Sequence, residues 1–160
     1  MSPSDTTPPP GWRLHDAEGF IGLVGPVWEL WDADVLVLAF TAEQKHANQR
    51  GVVQGGMLMT LADRVMGHAL RVRLAGQPVA TVQLDTHFLD AGRIGHRVEA
   101  RAELKRIATS LAFVEATVTQ GERALMRATG IWKLLRDSDG AAAQRFDARF
   151  GRGGPNSTNG

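Results

Sequence analysis

The stretch Gly56–Leu74 constrains this chain most, because its apolar residues spread too widely for a helix on a protein surface. Met57, Leu58, Leu61, Ala62, Val65, Met66, Ala69 and Leu70 recur at i, i+3 and i+4. At about 100° per residue they cover more than half the circumference, whereas an ordinary surface helix shows a narrower stripe. A helix of this length is roughly 28 Å long at ~1.5 Å per residue. It must be wrapped by other structure.

The wrapping is supplied downstream, where the period changes to two after Gly76-Gln77-Pro78. Val79–Leu89 alternates, with Val82, Leu84, Thr86 and Phe88 on one face and Thr81, Gln83, Asp85 and His87 on the other. Arg97–Lys105 sets Val98, Ala100, Ala102 and Leu104 against charged neighbours. Leu111–Thr119 and Arg123–Leu134 follow, split by a hairpin turn at Gln120-Gly121-Glu122. Upstream, Asp16–Val24 reads as a short helix ended by Gly25-Pro26. Val27–Trp31 and Val35–Phe40 read as strands joined by Asp32-Ala33-Asp34, and Thr41–Gln54 as loop. Strand–strand–buried helix–four strands predicts an α+β fold, a twisted antiparallel sheet curled around one long helix. A parallel βαβ architecture is disfavoured, since only one long helix exists.

Composition narrows the function classes. A chain of 160 residues suits one domain. A net charge of +1, without a basic stripe and interleaved aromatics, argues against nucleic acid. The absence of cysteine removes disulfides, thiolate metal sites and a thiol nucleophile, and fits a reducing compartment. No apolar run approaches the ~20 residues that span a bilayer. The first residues lack the basic and apolar regions of a secretory signal, so a cytoplasmic location is expected. Residues 1–11 carry four of the seven prolines and read as a disordered lead-in. Residues 12–136 form the folded domain, and 137–160 read as a flexible tail.

Chemistry concentrates between His46 and Asp63. Gly51, Gly55 and Gly56 lead into the wrapped helix, whose first N–H groups lack intrahelical acceptors and carry partial positive charge. That end favours an oxyanion or a polarised carbonyl. Asp63 lies about two turns in, beside the small residues Gly56, Thr60 and Gly67. It offers a base or a nucleophile, although an acid at a helix edge can equally be solvated or paired with Arg64 or Arg71. A glycine pair can likewise be a plain loop-to-helix junction, and Asn48 a local turn residue. The histidines at 15, 46, 68, 87 and 96 show no metal-ligand spacing. Ser110 is the only serine between Trp12 and Arg136, and no Gly-x-Ser-x-Gly or phosphate loop is present. Trp28 and Trp31 are expected in the core or at a subunit contact. A hydrolase built on this chain must therefore use a carboxylate and backbone amides.

Asn48-x-x-Gly51-x-Val53-x-Gly55-Gly56 followed by Thr60-Leu61-Ala62-Asp63 resembles the hotdog-fold acyl-CoA thioesterases of the phenylacetic-acid-pathway type, related to the 4-hydroxybenzoyl-CoA thioesterases with the acid on the central helix. The resemblance covers about residues 26–135. It implies that Asp63 is the catalytic acid, that the Gly55 amide polarises the thioester carbonyl, and that Asn48 positions substrate or water. Thr81 would supply a hydroxyl near the water, and Gln54 and Gly56 would line the substrate site. It further implies a homo-oligomer, a dimer or dimer of dimers (a homotetramer), in which Asn48 and Gly55 of one chain face Asp63 and Thr81 of the next. Coenzyme A enters only as part of the substrate, with no separate cofactor, metal or membrane. Many relatives carry His-Gly-Gly where this chain has Gln54-Gly55-Gly56, and Gln cannot carry a proton near neutral pH.

The expected reaction is hydrolysis of an acyl- or aryl-CoA thioester, with Asp63 as general base or as nucleophile through a mixed anhydride. Arg93, Arg97, Lys105 and especially Arg106 lie near strand ends within reach of the CoA phosphates, although each alone fits a solvated strand face. A non-catalytic acyl-CoA-binding module, a hydratase or dehydratase, and a purely structural oligomer are the rival readings.

Overall fold

The computed structural model describes residues 9–15 and 18–135. The lead-in expected over 1–11 lies outside the described residues except for 9–11, and the tail expected over 137–160 lies wholly outside them. The order of elements is β1 (Arg13–Leu14), α1 (Gly19–Val24), β2 (Trp28–Asp32), β3 (Val35–Thr41), a 3-10 turn (Gln44–His46), α2 (Gly55–Arg73), β4 (Val79–Phe88), β5 (Arg97–Ile107), β6 (Leu111–Gln120) and β7 (Arg123–Leu134). All seven strands form one antiparallel sheet in the order β1-β2-β3-β5-β6-β7-β4.

The wide apolar arc on α2 has the consequence its pattern dictates. All eight of its arc residues are buried, and the helix packs across β3, β4, β5, β6 and β7. The sheet face beneath it carries small side chains, among them Ala100, Ala102 and Ala116, which let the helix approach closely. Leu61 and Met66 fill the middle of the core, and truncating either to Ala would cost roughly 2–5 kcal/mol. Strand β3 is buried from Leu36 to Phe40 without alternation, as its unbroken apolar run requires.

The helix boundary falls one residue earlier than expected, at Gly55. The loop reading of 41–54 gains the short 3-10 turn. Strand β4 departs from the simple alternation read in its sequence. Its pairing with β7 shifts register between Thr81 and Gln83, a bulge that absorbs Val82. One extra residue reverses the facing of everything before it. Thr81 therefore reaches the α2 side together with Leu84, and Val82 is left 59% exposed. Among the described residues no helix is long and apolar enough to cross a membrane.

Candidate active site

The start of α2 is where the backbone leaves donors open. Gln54, the residue before the helix, has extended geometry (φ −59°, ψ 131°) and makes no side-chain cap. Its carbonyl accepts from Met57 N–H at 2.9 Å and from Leu58 N–H at 3.4 Å. Among the described residues, the N–H groups of Gly55 and Gly56 meet no acceptor. Two adjacent unsatisfied donors at a helix N-terminus are suited to an oxygen carrying negative charge. Gly55 also has to be small. A Cβ placed there would lie 3.0 Å from the ring of Phe88, which covers that end of the helix.

The loop before the helix is a built structure. Asn48 Oδ1 accepts from the N–H of Arg50 at 2.8 Å and of Val52 at 3.4 Å, and Gly51 takes a left-handed φ of +74°. Asn48 thus shapes the turn with its oxygen and keeps its amide nitrogen for other partners. His46 is buried, with both ring nitrogens engaged. Nδ1 accepts from Glu43 N–H at 2.8 Å, and Nε2 donates to the carbonyl of Val24 at 2.6 Å. Burial holds its pKa below the ordinary histidine value. A cleft of about 970 Å³ opens between α1, this turn and the first turns of α2. Asn48, Gln54, Gly56 and Thr60 line it together with Phe20, Val24, His46 and Met57. The Thr60 hydroxyl is tied back to the Gly56 carbonyl at 2.8 Å.

Asp63 stands half-buried on α2, and its Oδ1 accepts a 2.9 Å hydrogen bond from the Thr81 hydroxyl. The two residues named from the sequence are therefore neighbours, joined by the bulge in β4. Eight residues separate Asp63 from Gly55, about 12 Å along the helix axis. Asp63 and Thr81 do not line the cleft at the helix start. Arg106 stands exposed on β5 and does not line it either.

A second polar cluster escaped the sequence reading. The buried Glu29 carboxylate accepts from Arg13 Nε at 3.0 Å and from its Nη2, and from the Trp31 indole at 3.0 Å. Its other oxygen meets His15 Nδ1 at 2.6 Å and lies 3.7 Å from His68 Nε2. Arg64 Nε donates to His15 Nε2 at 2.8 Å, which leaves the histidine proton on Nδ1 facing Glu29. Burial alone would raise the Glu29 carboxyl, but the hydrogen bonds from His15 and Arg13 outweigh it and hold the pKa at about 2. Burial pushes His68 down to about 4, with the nearby His15 acting in the same direction and Glu29 opposing it. His15, Glu29 and His68 offer ligand atoms within 4.8 Å of one another. The atoms of His15 and Glu29 that face His68 are already bonded to each other, however, and Arg13 and Arg64 stand on their far sides, so a cation would have to break that bond beside two fixed positive charges. This is an ion-pair network that clamps β1 and β2 to α2. Residues 15, 29 and 68 come from three segments, so no local spacing betrayed it.

The sequence pattern of the thioesterase superfamily matches residues 50–126, spanning the glycine loop, α2 and most of the sheet. A Pseudomonas aeruginosa protein provisionally named an esterase is 33% identical over 129 residues, covering 79% of this chain and 96% of its own. Mouse acyl-coenzyme A thioesterase 13 is 26% identical over 84 residues, 52% of this chain and 60% of its own length. Among solved structures, a mutant of the phenylacetic acid degradation protein PaaI from Thermus thermophilus superposes with a TM-score of 0.67 at 25% identity. The match covers 72% of this chain and 98% of the PaaI chain. The sheet wrapped around a single helix is the hotdog architecture that these proteins share.

Proposed function

Because this chain belongs to the thioesterase superfamily and is a thioester hydrolase, we propose that it cleaves an acyl- or aryl-coenzyme A to the free acid and coenzyme A. The observation that carries this reading is the pair of unsatisfied amides at Gly55 and Gly56, of which Gly56 lines the cleft and Gly55 stands beside it under the Phe88 ring, on the same helix as the Thr81-bonded Asp63. The thioester carbonyl oxygen accepts from the Gly55 N–H, and the helix dipole stabilises the charge that grows there. Asp63 takes a proton from water as the water oxygen adds to the carbonyl carbon. The tetrahedral intermediate then expels the coenzyme A thiolate, which takes the proton held by Asp63 and restores the carboxylate. Attack by the carboxylate itself, through a mixed anhydride, is the alternative path. Thr81 and the Asn48 amide orient water and acyl group, Gln54 and Gly56 border the substrate, and Arg106 offers a cation to the coenzyme A phosphates. No cofactor is required.

The ~12 Å between Gly55 and Asp63 is too far for one chain to place both on one carbonyl, since reacting groups must come within about 3–3.5 Å. The reaction site is accordingly shared between two chains, the Gly55 side of one meeting Asp63 of the other. Support comes from β4, which among the described residues ends the sheet with an unpaired edge and, with Leu89 just after it, exposes Val82, Phe88 and Leu89 at 53–59%. A second chain adding there extends the sheet and completes the site in a homodimer, itself open to further pairing. We place this activity in the cytoplasm, which suits a cysteine-free chain acting on coenzyme A esters. The hydratase alternative is disfavoured because His46, the histidine at the cleft, spends both ring nitrogens on backbone groups.

Free-thiol release from short-, medium- and long-chain and aryl-CoAs tests the reading. Turnover of at least one is expected. Tight binding with no turnover across the panel would instead establish a non-catalytic acyl-CoA-binding module.

A further inference from the structure

Helix α1 lies at the edge of the core: Ile21 and Val24 pack against it half-buried, and none of the six residues is fully buried. It is nevertheless held firmly. His46 Nε2 donates to Val24 O at its C-terminal end, and Lys45 Nζ donates to the next carbonyl, that of Gly25. The backbone carbonyl of the same His46 accepts from Gln54 N–H at 2.8 Å, immediately before the open amides of α2. One residue therefore sets the distance between α1 and the proposed carbonyl-binding amides. Across that gap α1 presents Phe20 and Val24 to the cleft, facing Ala47 and the buried Met57, while the cationic Arg50 stands on the exposed rim. Phe20 is 61% exposed in spite of its size, so packing within the chain does not account for a phenyl ring there.

Resting on the hydrolase reading above, we infer that α1 is the wall of the acyl compartment and that Phe20 sets which acyl groups are accepted. His46 acts as a positioning residue that holds this wall in register with the helix start. The occupant is the acyl half of the thioester. Its carbonyl lies at the amides, its hydrocarbon lies between Phe20, Val24 and Met57, and the phosphate-bearing half leaves past the rim. Phe20, Val24 and Met57 together present more apolar surface to the cleft than an acetyl group can cover. The substrate class is therefore a medium-chain or aryl acyl group, each methylene seated against the wall raising kcat/KM about fourfold.

The test is kcat/KM across acetyl- to palmitoyl-CoA and phenylacetyl-CoA for the wild type, Phe20→Ala and Phe20→Leu. Phe20 is exposed, so its truncation leaves the fold intact. The wild type should favour medium-chain or aryl groups over acetyl. Phe20→Ala should change the decanoyl-to-acetyl ratio by about fivefold or more, with Phe20→Leu between. His46→Ala should reproduce the altered profile and His46→Gln, which keeps a side-chain donor, should restore it. An unchanged chain-length profile in Phe20→Ala overturns the inference while leaving the hydrolase reading standing. So does an effect confined to the ratio between coenzyme A and N-acetylcysteamine thioesters of the same acid, which would seat the coenzyme A arm in the cleft. Wild-type inactivity on every ester overturns both.

Discussion

The Thr81 hydroxyl donates a 2.9 Å hydrogen bond to Oδ1 of Asp63. A half-buried carboxylate on α2 is thereby fixed in one orientation by a residue that a bulge in β4 turns toward the helix. A hydrogen bond to a charged group contributes about 1.5–3 kcal/mol. Thr81→Val should lower kcat on a preferred acyl-CoA by about ten- to a hundredfold with little change in KM, and Thr81→Ser should recover most of the loss. Steady-state kinetics on the three proteins decides the point; equal kcat values would remove Thr81 from the reaction.

Gly55→Pro separates the amide from the helix it begins. Proline is well accommodated at the first helical position, and Gln54 already has the extended geometry that a residue before proline adopts. The Phe88 ring must yield a few tenths of an ångström. The variant should fold and lose turnover by at least about a hundredfold. Mixed with Asp63→Asn protein and allowed to exchange subunits, it should regain about a quarter of wild-type activity, because half of the dimers then carry one intact site. No recovery in exchanged dimers, with both parents folded, would place the whole site in one chain.

Acid should weaken the fold in two stages. His68 has a folded pKa of about 4 against an ordinary 6.5, and Glu29 about 2 against 4.5. Both groups bind more protons when the chain unfolds, so stability is complete above the unfolded values and lost as pH falls. The His68 contribution goes between about 6.5 and 4, and that of Glu29 between about 4.5 and 2, each on the order of 1–3 kcal/mol. Urea midpoints measured from pH 7.5 to 4.5 should fall for the wild type and stay flatter for His68→Gln. Glu29→Gln should cost about 3–5 kcal/mol at neutral pH, because it takes the charged partner from the buried His15 in a network closed by Arg13 and Arg64.

Periodicity made most of the fold legible. The eight apolar positions of α2 were visible because a 3.6-residue repeat has one cause, and all eight are buried. Likewise β5 and β7 begin at the residues where alternation begins. What escaped depends on three dimensions. The bulge at Thr81/Gln83 obeys the pairing with β7 and not the sequence of β4, so simple alternation puts Thr81 on the wrong face, and only the family resemblance associates it with Asp63. The Arg13–His15–Glu29–Arg64–His68 network joins two strands and a helix, and no local spacing records it. His46 looked like a loop histidine, yet its side chain ties α1 to the turn and its carbonyl ties the turn to α2.

The most direct measurement is free-thiol release by Asp63→Asn on the best acyl-CoA substrate, alongside sedimentation of the same sample. Replacing the carboxylate by an amide of equal shape preserves packing and the contact with Thr81 while removing the base. Wild-type oligomer size and coenzyme A binding should persist while kcat falls by at least about a hundredfold. A variant that turns over at the wild-type rate would contradict the role of Asp63 and, with it, the two-chain thioesterase site.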